Sequence, residues 1–524
     1  MSMPRVNAER ALPLLGLFLL LHFAVLLAYV RHLNIDVAFF ITMGQMILDG
    51  ALPFRDIFDN NPPTAMYLGV LPLWLRELTS LDIVRSAHVI TAVALALSGV
   101  LSLRALRHMQ LPDLRALRYV FAAAWIYLAV LTLSMTQFGQ RDQLIIAFLF
   151  PYALLRAAVF RQRVHDAVLE IFAVAFAALA LLLKPMYGGI PLLIEIAVLA
   201  HAGWRSYLQR MRTPVIVLVL CAIALLSLEA MRLYYFDWFG VISEYYRSFG
   251  YDIKRVLFTM AGEQGVQFSV LVFFLGVVMW SSHRERGMRD LFLMLLLLFA
   301  GGFAGMLLQG KGWDYHRLPM TYATWMLAGF TLYAVVHAFR KRTPRAEGAA
   351  VHTVLLFAVL QLALFPTITS WLRLGGPRAP DPPLLQVIAR HSAESDGIVA
   401  VNPGVEITFP AITCSGRRYV SHFLQAFPLV MGYAGQEAQS AIPERRWFVD
   451  RYKRILWEDV ASHRPRLLLV DANTGRWNLP DTMSALTWLR AEGFFRGDGP
   501  GRDYELVERT VNRIAVFRRR DRAD

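Results

Sequence analysis

A few short polar stretches interrupt an otherwise apolar chain, and each carries side chains able to do chemistry. "LPFRDIFDNNPP" sets Arg55, Asp56, Asp59, Asn60 and Asn61 ahead of Pro62-Pro63, a pair that stiffens the exit. "NIDVAFF" holds Asp36, "FGQRDQ" holds Arg141 and Asp142, and "LKPMYGG" holds Lys184. "QGKGWDYHR" gathers Lys311, Trp313, Tyr315, His316 and Arg317. A positioned carboxylate can take the proton of an attacking hydroxyl. Lys and Arg hold phosphate oxygens by charge-assisted hydrogen bonds, and Asn side chains bond hydroxyls without adding charge. Plainer readings compete. Arg141 can simply pair with Asp142, Lys184 can snorkel to a membrane interface, and Trp313 with Tyr315 can form an aromatic belt. The crowding of two cations and an imidazole beside those rings favours an anion clamp.

What positions these stretches is a set of apolar runs. The chain is 56% hydrophobic and only 18% charged, whereas soluble domains sit near roughly 45–50% and about 25%. Spanning a hydrocarbon core of about 30 Å takes roughly 20 apolar helical residues. The candidate runs are Ala11–Val30, Ile83–Leu103, Tyr119–Met135, Gln143–Phe160, Ala167–Leu183 and Tyr187–Ala202, followed by Pro214–Met231, Gln267–Trp280, Leu291–Leu308, Met320–Phe339 and Val351–Trp371. The reading is a polytopic α-helical membrane protein of about eleven transmembrane helices. The first run is too long for a signal-peptide core and reads as a retained anchor.

The net charge of +14 is explained by orientation and excludes nucleic acid as a partner. With Arg5 and Arg10 in the cytoplasm, alternate loops become cytoplasmic, and those loops carry the arginines: Arg104 to Arg118, Arg161 and Arg163, Arg205 to Arg212, Arg284 to Arg289, and Arg340 to Arg345. That is the positive-inside pattern, N-terminus in and C-terminal tail out. Every polar stretch quoted above then falls on the extracytoplasmic side. Cys221 and Cys414 lie far apart in character, one in an apolar run and one in the tail, so neither a disulfide framework nor a cysteine metal site is expected. The histidines show no His-Glu-x-x-His spacing.

The first outer loop reads as two membrane-surface helices, "VAFFITMGQMILDG" and "TAMYLGVLPLWLREL", holding the polar turn between them. After the linker "GGPRAPDPP" the tail alternates β-like runs ("GIVAVN", "RLLLVDA", "NRIAVFRR") with helical ones, which predicts a C-terminal extracytoplasmic α/β domain. The domains are thus 1–374, transmembrane, and 375–524, soluble.

The stretch "DVAFFITMGQMILDGALPFRDIFDNNPPTAMYL" resembles the first extracytoplasmic loop of GT-C superfamily glycosyltransferases, of the dolichyl-phosphate-mannose protein mannosyltransferase and lipid A aminoarabinose transferase type. The matching residues are Asp36 after the first span, Gly50, "PFRD" and the Pro62-Pro63 pair. The order of spans and the outer soluble tail match as well. This chain departs in having Asn61 where many relatives have Lys before the Pro pair, so a phosphate contact made there must come from elsewhere. The resemblance implies an inverting sugar transfer from a polyprenyl-phosphate-linked donor to a cell-envelope acceptor (lipid, glycan or protein). A lipid phosphate leaves already carrying its charge, so one carboxylate base and a set of cations suffice. Asp36 is the expected base, with Asp56 as the alternate. Arg55, Arg141, Lys184, Lys311, His316 and Arg317 are the expected phosphate holders.

Other classes remain open at this point. A transporter or flippase of lipid-linked glycans should show ionisable groups near the bilayer midplane and paired broken helices. A polymerase or ligase of envelope glycans is chemically close to the first reading. No cofactor is called for with certainty, a divalent cation being the one option. Membrane lipids are the remaining partner, and the location is the inner, cytoplasmic membrane.

Overall fold

The structure, a computed structural model, describes residues 8–111, 113–134, 136–160, 166–248, 256, 264–342, 382–433 and 441–520. Contacts divide the chain into two compact units. The first comprises residues 1–30, 88–223 and 251–377, and the second residues 31–87, 224–250 and 378–524.

The first unit is helical. Each apolar run from Ala11–Val30 to Met320–Phe339 lies mainly on helical backbone where it is described, Pro214–Met231 being broken at Leu228, and Val351–Trp371 lies outside the described residues. Among the described residues, five helices are long and apolar enough to cross a membrane, or six if one bent helix pair counts as a single span. That is fewer than the expected number of runs. Ala167–Leu183, for example, has 17 residues, short of the roughly 20 a full crossing takes. The helix Arg141–Val159 is the core of the unit and is buried along nearly its whole length, Pro151 included. An all-round apolar sequence of this kind needs neighbours on every side. Near its C-terminal end, fully buried Arg156 donates Nε and Nη2 to Glu195, each at 2.7 Å, and Tyr152 adds its hydroxyl at 2.6 Å. Glu195, an acid inside an apolar run, is the counter-ion of a buried guanidinium. Removing one partner of such a pair costs about 3–5 kcal/mol.

The second unit carries a five-stranded mixed sheet in the order β2-β1-β3-β5-β4. The strands are β1 (Gly397–Val401), β2 (Arg418–Tyr419), β3 (Leu467–Asp471), β4 (Tyr504–Arg509) and β5 (Ile514–Arg519). β1 pairs in parallel with β2 and β3, while β5 runs antiparallel to β3 and β4. β3 is buried at every position, as a central strand covered on both faces must be. The expected strands are β1, β3 and β5, and the expected helical run contains Ala485–Ala491, opened by a Ser484 capping box.

Residues 31–87 belong to this unit. Asn34 caps the helix Ile35–Leu48 by accepting from the amides of Asp36 (3.0 Å) and Val37 (3.3 Å). This helix differs from the surface helix expected. Most of it is buried, because Thr42 bonds Thr413 at 2.8 Å and Phe39 packs edge-on against Phe409 at 5.3 Å. On its other side Gly44 meets Gly69 so closely that a Cβ on Gly69 would lie 2.0 Å from the Phe40 carbonyl. The amphipathic element is the next one, Val70–Leu78, which leaves Trp74 and Leu78 exposed while burying Val70, Pro72 and Leu73.

Candidate functional sites in the two units

In the first unit, three local stops place their polar residues together. Gln140 caps the helix Arg141–Val159 through the Arg141 amide (2.8 Å), which puts Asp142 in the first turn, where the helix dipole favours a carboxylate. Lys184 ends the helix Ala167–Leu183, and Pro185 forces the chain into a short 3-10 turn, Pro185–Gly188. Gly310, at φ +64°, ends Arg286–Gln309 in a left-handed cap, after which Asp314–Arg317 forms a further 3-10 turn.

The side chains meet there. Lys184 Nζ lies 2.7 Å from Asp142 Oδ2 and donates to Gln309 Oε1 at 2.8 Å. Tyr187 donates its hydroxyl to Asp142 Oδ1 at 2.5 Å, and Gln309 Nε2 donates back to that hydroxyl at 2.8 Å. Both oxygens of Asp142 are therefore engaged, and its side chain is fully buried. Lys184, for which snorkelling was the plainer reading beside phosphate holding, is only 4% exposed and held inside the unit. Lys311 is buried with Nζ 4.6 Å over the Trp313 ring, and Lys184 Nζ sits 5.3 Å over Tyr315. His316 packs between Trp313 (5.3 Å) and Tyr315 (4.4 Å). Its Nδ1 is buried and finds no hydrogen-bond partner among the described residues. Burial, and then the charges of Lys184, Lys311 and Arg141, hold the imidazole well below its ordinary pKa, so it is neutral. Arg317 reaches the Gly312 carbonyl and Asp314, each at 3.4 Å.

All the residues singled out in "FGQRDQ", "LKPMYGG" and "QGKGWDYHR" thus belong to one cluster, whose charged members among the described residues are Arg141, Lys184, Lys311 and Arg317 with the buried Asp142 and the exposed Asp314. The sequence reading passed over Tyr187 and Gln309. Tyr187 opened an apolar run and was counted with it, and Gln309 headed "QGKGWDYHR" without being singled out.

The remaining expected residues lie in the second unit. Asp36 is half-buried in the first turn of its helix. Asp56 closes a turn: Oδ2 accepts the Leu52 amide at 2.8 Å and the Arg55 guanidinium at 3.0 Å. Its carboxyl lies below the usual range; burial pushes it up, but the bonds from Arg55 and Leu52 and the charges of Arg55 and His422 outweigh that. Asp59 is buried and accepts from Asn61 Nδ2 at 2.8 Å, while the same Nδ2 donates to Asn60 Oδ1 at 2.7 Å. Asn60 and Asn61 were expected to present amides to hydroxyls. Both are buried, and the loop's chain is pinned by the Phe58 amide to the His422 carbonyl at 2.8 Å. His422 in turn gives or takes a 2.6 Å bond with Asp459, which, with burial opposing, raises its pKa. Among the described residues no group of three or more His, Cys, Asp or Glu is arranged to hold a metal.

The chain matches no protein-family model, and no curated protein matches it in sequence. Its fold does match solved structures. With ArnT from Cupriavidus metallidurans bound to undecaprenyl phosphate it shares 14% identity at a TM-score of 0.60, covering 98% of both chains. With the apo form of the same protein the TM-score is 0.61, again at 14% identity and 98% coverage of both. The likeness is to the fold of a GT-C glycosyltransferase, the lipid A aminoarabinose transferase, as the first-loop resemblance implied.

Proposed function

We propose that the chain is a membrane glycosyltransferase that moves a sugar from a polyprenyl-phosphate donor to an envelope acceptor on the extracytoplasmic face, with inversion. Its transmembrane part would be 1–374 and its outer soluble part 375–524, with about eleven spans in all and the N-terminus in the cytoplasm. The observation that carries the reading is the cationic cluster of the first unit. It gathers Arg141, Lys184, Lys311 and the half-buried Arg317 beside a His316 nitrogen that finds no hydrogen-bond partner among the described residues. A phosphate ester fits the fork of Arg and the ammonium of Lys. The fold likeness supports the same ligand, since the related structure was solved with undecaprenyl phosphate.

The proposed reaction needs little else. The acceptor oxygen attacks the anomeric carbon, the bond from that carbon to the phosphate oxygen breaks, and the lipid phosphate leaves on Lys311, Arg317, Lys184 and Arg141. The hydroxyl proton goes to a carboxylate, for which Asp36 is proposed. Asp59, Asn60 and Asn61 are assigned to shaping the loop, and Asp56 to closing the turn that carries Arg55. Asp142 and Tyr187 would fix Lys184, while Trp313 and Tyr315 would wall the cations from water and strengthen their pull. A divalent cation would be an optional addition to these steps, sharing the phosphate charge with the same cations.

The test is binding of undecaprenyl phosphate to the purified chain. Lys311→Ala and Arg317→Ala should each weaken it about 10- to 100-fold, the worth of one charge-assisted contact of about 1.5–3 kcal/mol. Unchanged affinity in both variants would reduce the cluster to a belt of rings and cations.

A further inference from the structure

The second unit holds a cleft of about 380 Å³, to whose lining the first-loop turn contributes Phe54, Arg55 and Phe58. Its size falls within the range of roughly 300–1,000 Å³ typical of small-molecule sites. Two unusual pieces of backbone line it. Phe54 sits at φ +68°, a left-handed conformation that a bulky L-residue rarely adopts, and it is held there by its amide bond to the Ile57 carbonyl at 2.8 Å. On the facing wall, Leu233–Trp238 is a π-helical turn. Such turns are rare and concentrate at functional sites, because the wider winding returns a residue five positions on to the same face. Leu233 and Trp238, five apart, both line this cleft, and Asp237 joins them. Two costly local conformations meeting at one cavity are what a binding site retains and a packing accident does not.

The side chains say what would bind. Arg451, from the helix Arg446–His463, lays its guanidinium 4.9 Å over Trp238 and 5.5 Å over Phe58. It makes no ion pair with a described residue, so its N–H fork is oriented by the rings and left for an acceptor. Trp447, 49% exposed, offers a second indole at the rim. Glu229 and Asp237 add acceptors on the same lining, where the other cation, Arg55, is already paired with Asp56 at 3.0 Å. A phosphate would meet the two carboxylates, and a hydrocarbon chain would strand the guanidinium. A polyol suits every group: its hydroxyls accept from Arg451, donate to the carboxylates, and its C–H faces lie on the indoles.

We infer that this cleft is a saccharide subsite and that the acceptor seated there presents neutral sugar hydroxyls, which makes it a glycan or the glycan head of a lipid. The word acceptor rests on the transferase reading above; the saccharide site itself does not.

The probe is a fluorescently tagged envelope oligosaccharide, freed of lipid and phosphate and titrated against the full chain in nanodiscs. Trp447→Ala and Arg451→Met should each weaken its binding about tenfold or more, one stacked or bidentate contact being lost. Undecaprenyl phosphate should bind both variants as it binds the wild type, which also reports that they are folded. Should either variant lose that binding, Trp447→Phe and Arg451→Lys replace them, the lysine still lacking the fork. The inference is overturned if the wild type does not bind the oligosaccharide, if the variants bind it equally well, or if inorganic phosphate displaces it. Turnover separates the two readings. A chain that consumes no polyprenyl-phosphate sugar, yet whose saccharide binding falls in the variants, loses the transferase reading and keeps the subsite. Intact turnover with no change in acceptor KM in the variants removes the subsite alone.

Discussion

Asp142 and Asp36 both stand in the first turn of a helix, yet they are suited to different work. Asp142 is buried with an ammonium on one oxygen and a phenol on the other, so both its oxygens are already bonded inside the unit. Asp56 is tied in a similar way, by Arg55 and the Leu52 amide. Asp36 is half-buried, with its backbone amide bonded to the Asn34 cap, so its carboxylate is open in part to an approaching hydroxyl. Asp36→Asn keeps the shape and removes the base. It should lower the rate about 10²–10⁴-fold, as loss of a general base does, with expression and undecaprenyl phosphate affinity nearly unchanged. A single-turnover assay with radiolabelled donor decides it, and full activity would transfer the role to Asp56.

At the scale of elements, the cationic cluster depends on a close approach that no side chain makes. Tyr187 reaches Asp142 because its 3-10 turn lies against the helix Arg286–Gln309 at Gly305, where a Cβ would come within 2.4 Å of the phenol ring. Gly305→Ala must push that ring away. Overpacking of this kind costs about 1–3 kcal/mol, and the displaced Tyr187 should also weaken undecaprenyl phosphate binding. Gly189→Ala, with nothing within 4 Å of its Cβ, is the control. Equal melting temperatures and affinities for the two variants would show that Tyr187 is not positioned this way. The stops that assemble this cluster were legible, because Lys184-Pro185 and Gly310-x-Gly312 punctuate apolar runs by local chemistry. So were β1, β3 and β5, whose apolar residues run without a break. The Tyr187 contact was not legible, since it depends on a helix more than a hundred residues on. Nor was the burial of Ile35–Leu48, where the Gly44–Gly69 approach and Thr413 override an apparently amphipathic pattern. The π turn at Leu233–Trp238 and the two-residue β2 left no periodic trace at all, and the placing of residues 224–250 with the tail is a purely tertiary fact.

At the scale of the whole molecule the question is which end of the first unit faces which side of the membrane. The helix Arg141–Val159 carries the Asp142 cluster at its N-terminus, and at roughly 1.5 Å per residue its other end lies nearly a bilayer core away. The arginine-rich loops collect at that other end. Arg104 and His108 both bond Asp166, the cap that follows the loop of Arg161 and Arg163. Arg210 Nη1 donates to the carbonyls of Val159 and Phe160, and Gly287 lies against the Gln110 carbonyl with no room for a side chain. Four loops of the positive-inside set are therefore neighbours, and the phosphate-binding candidates are at the opposite end of the same helix. Cytoplasmic retention of that many arginines orients a bundle firmly. Alkaline phosphatase, active only outside the cytoplasm, should then be silent when fused after Arg342 and active when fused after Asp524. The reverse pattern would turn the cationic cluster towards the cytoplasm, where a donor displayed on the outer leaflet could not reach it, and the proposed reaction would fall with the topology.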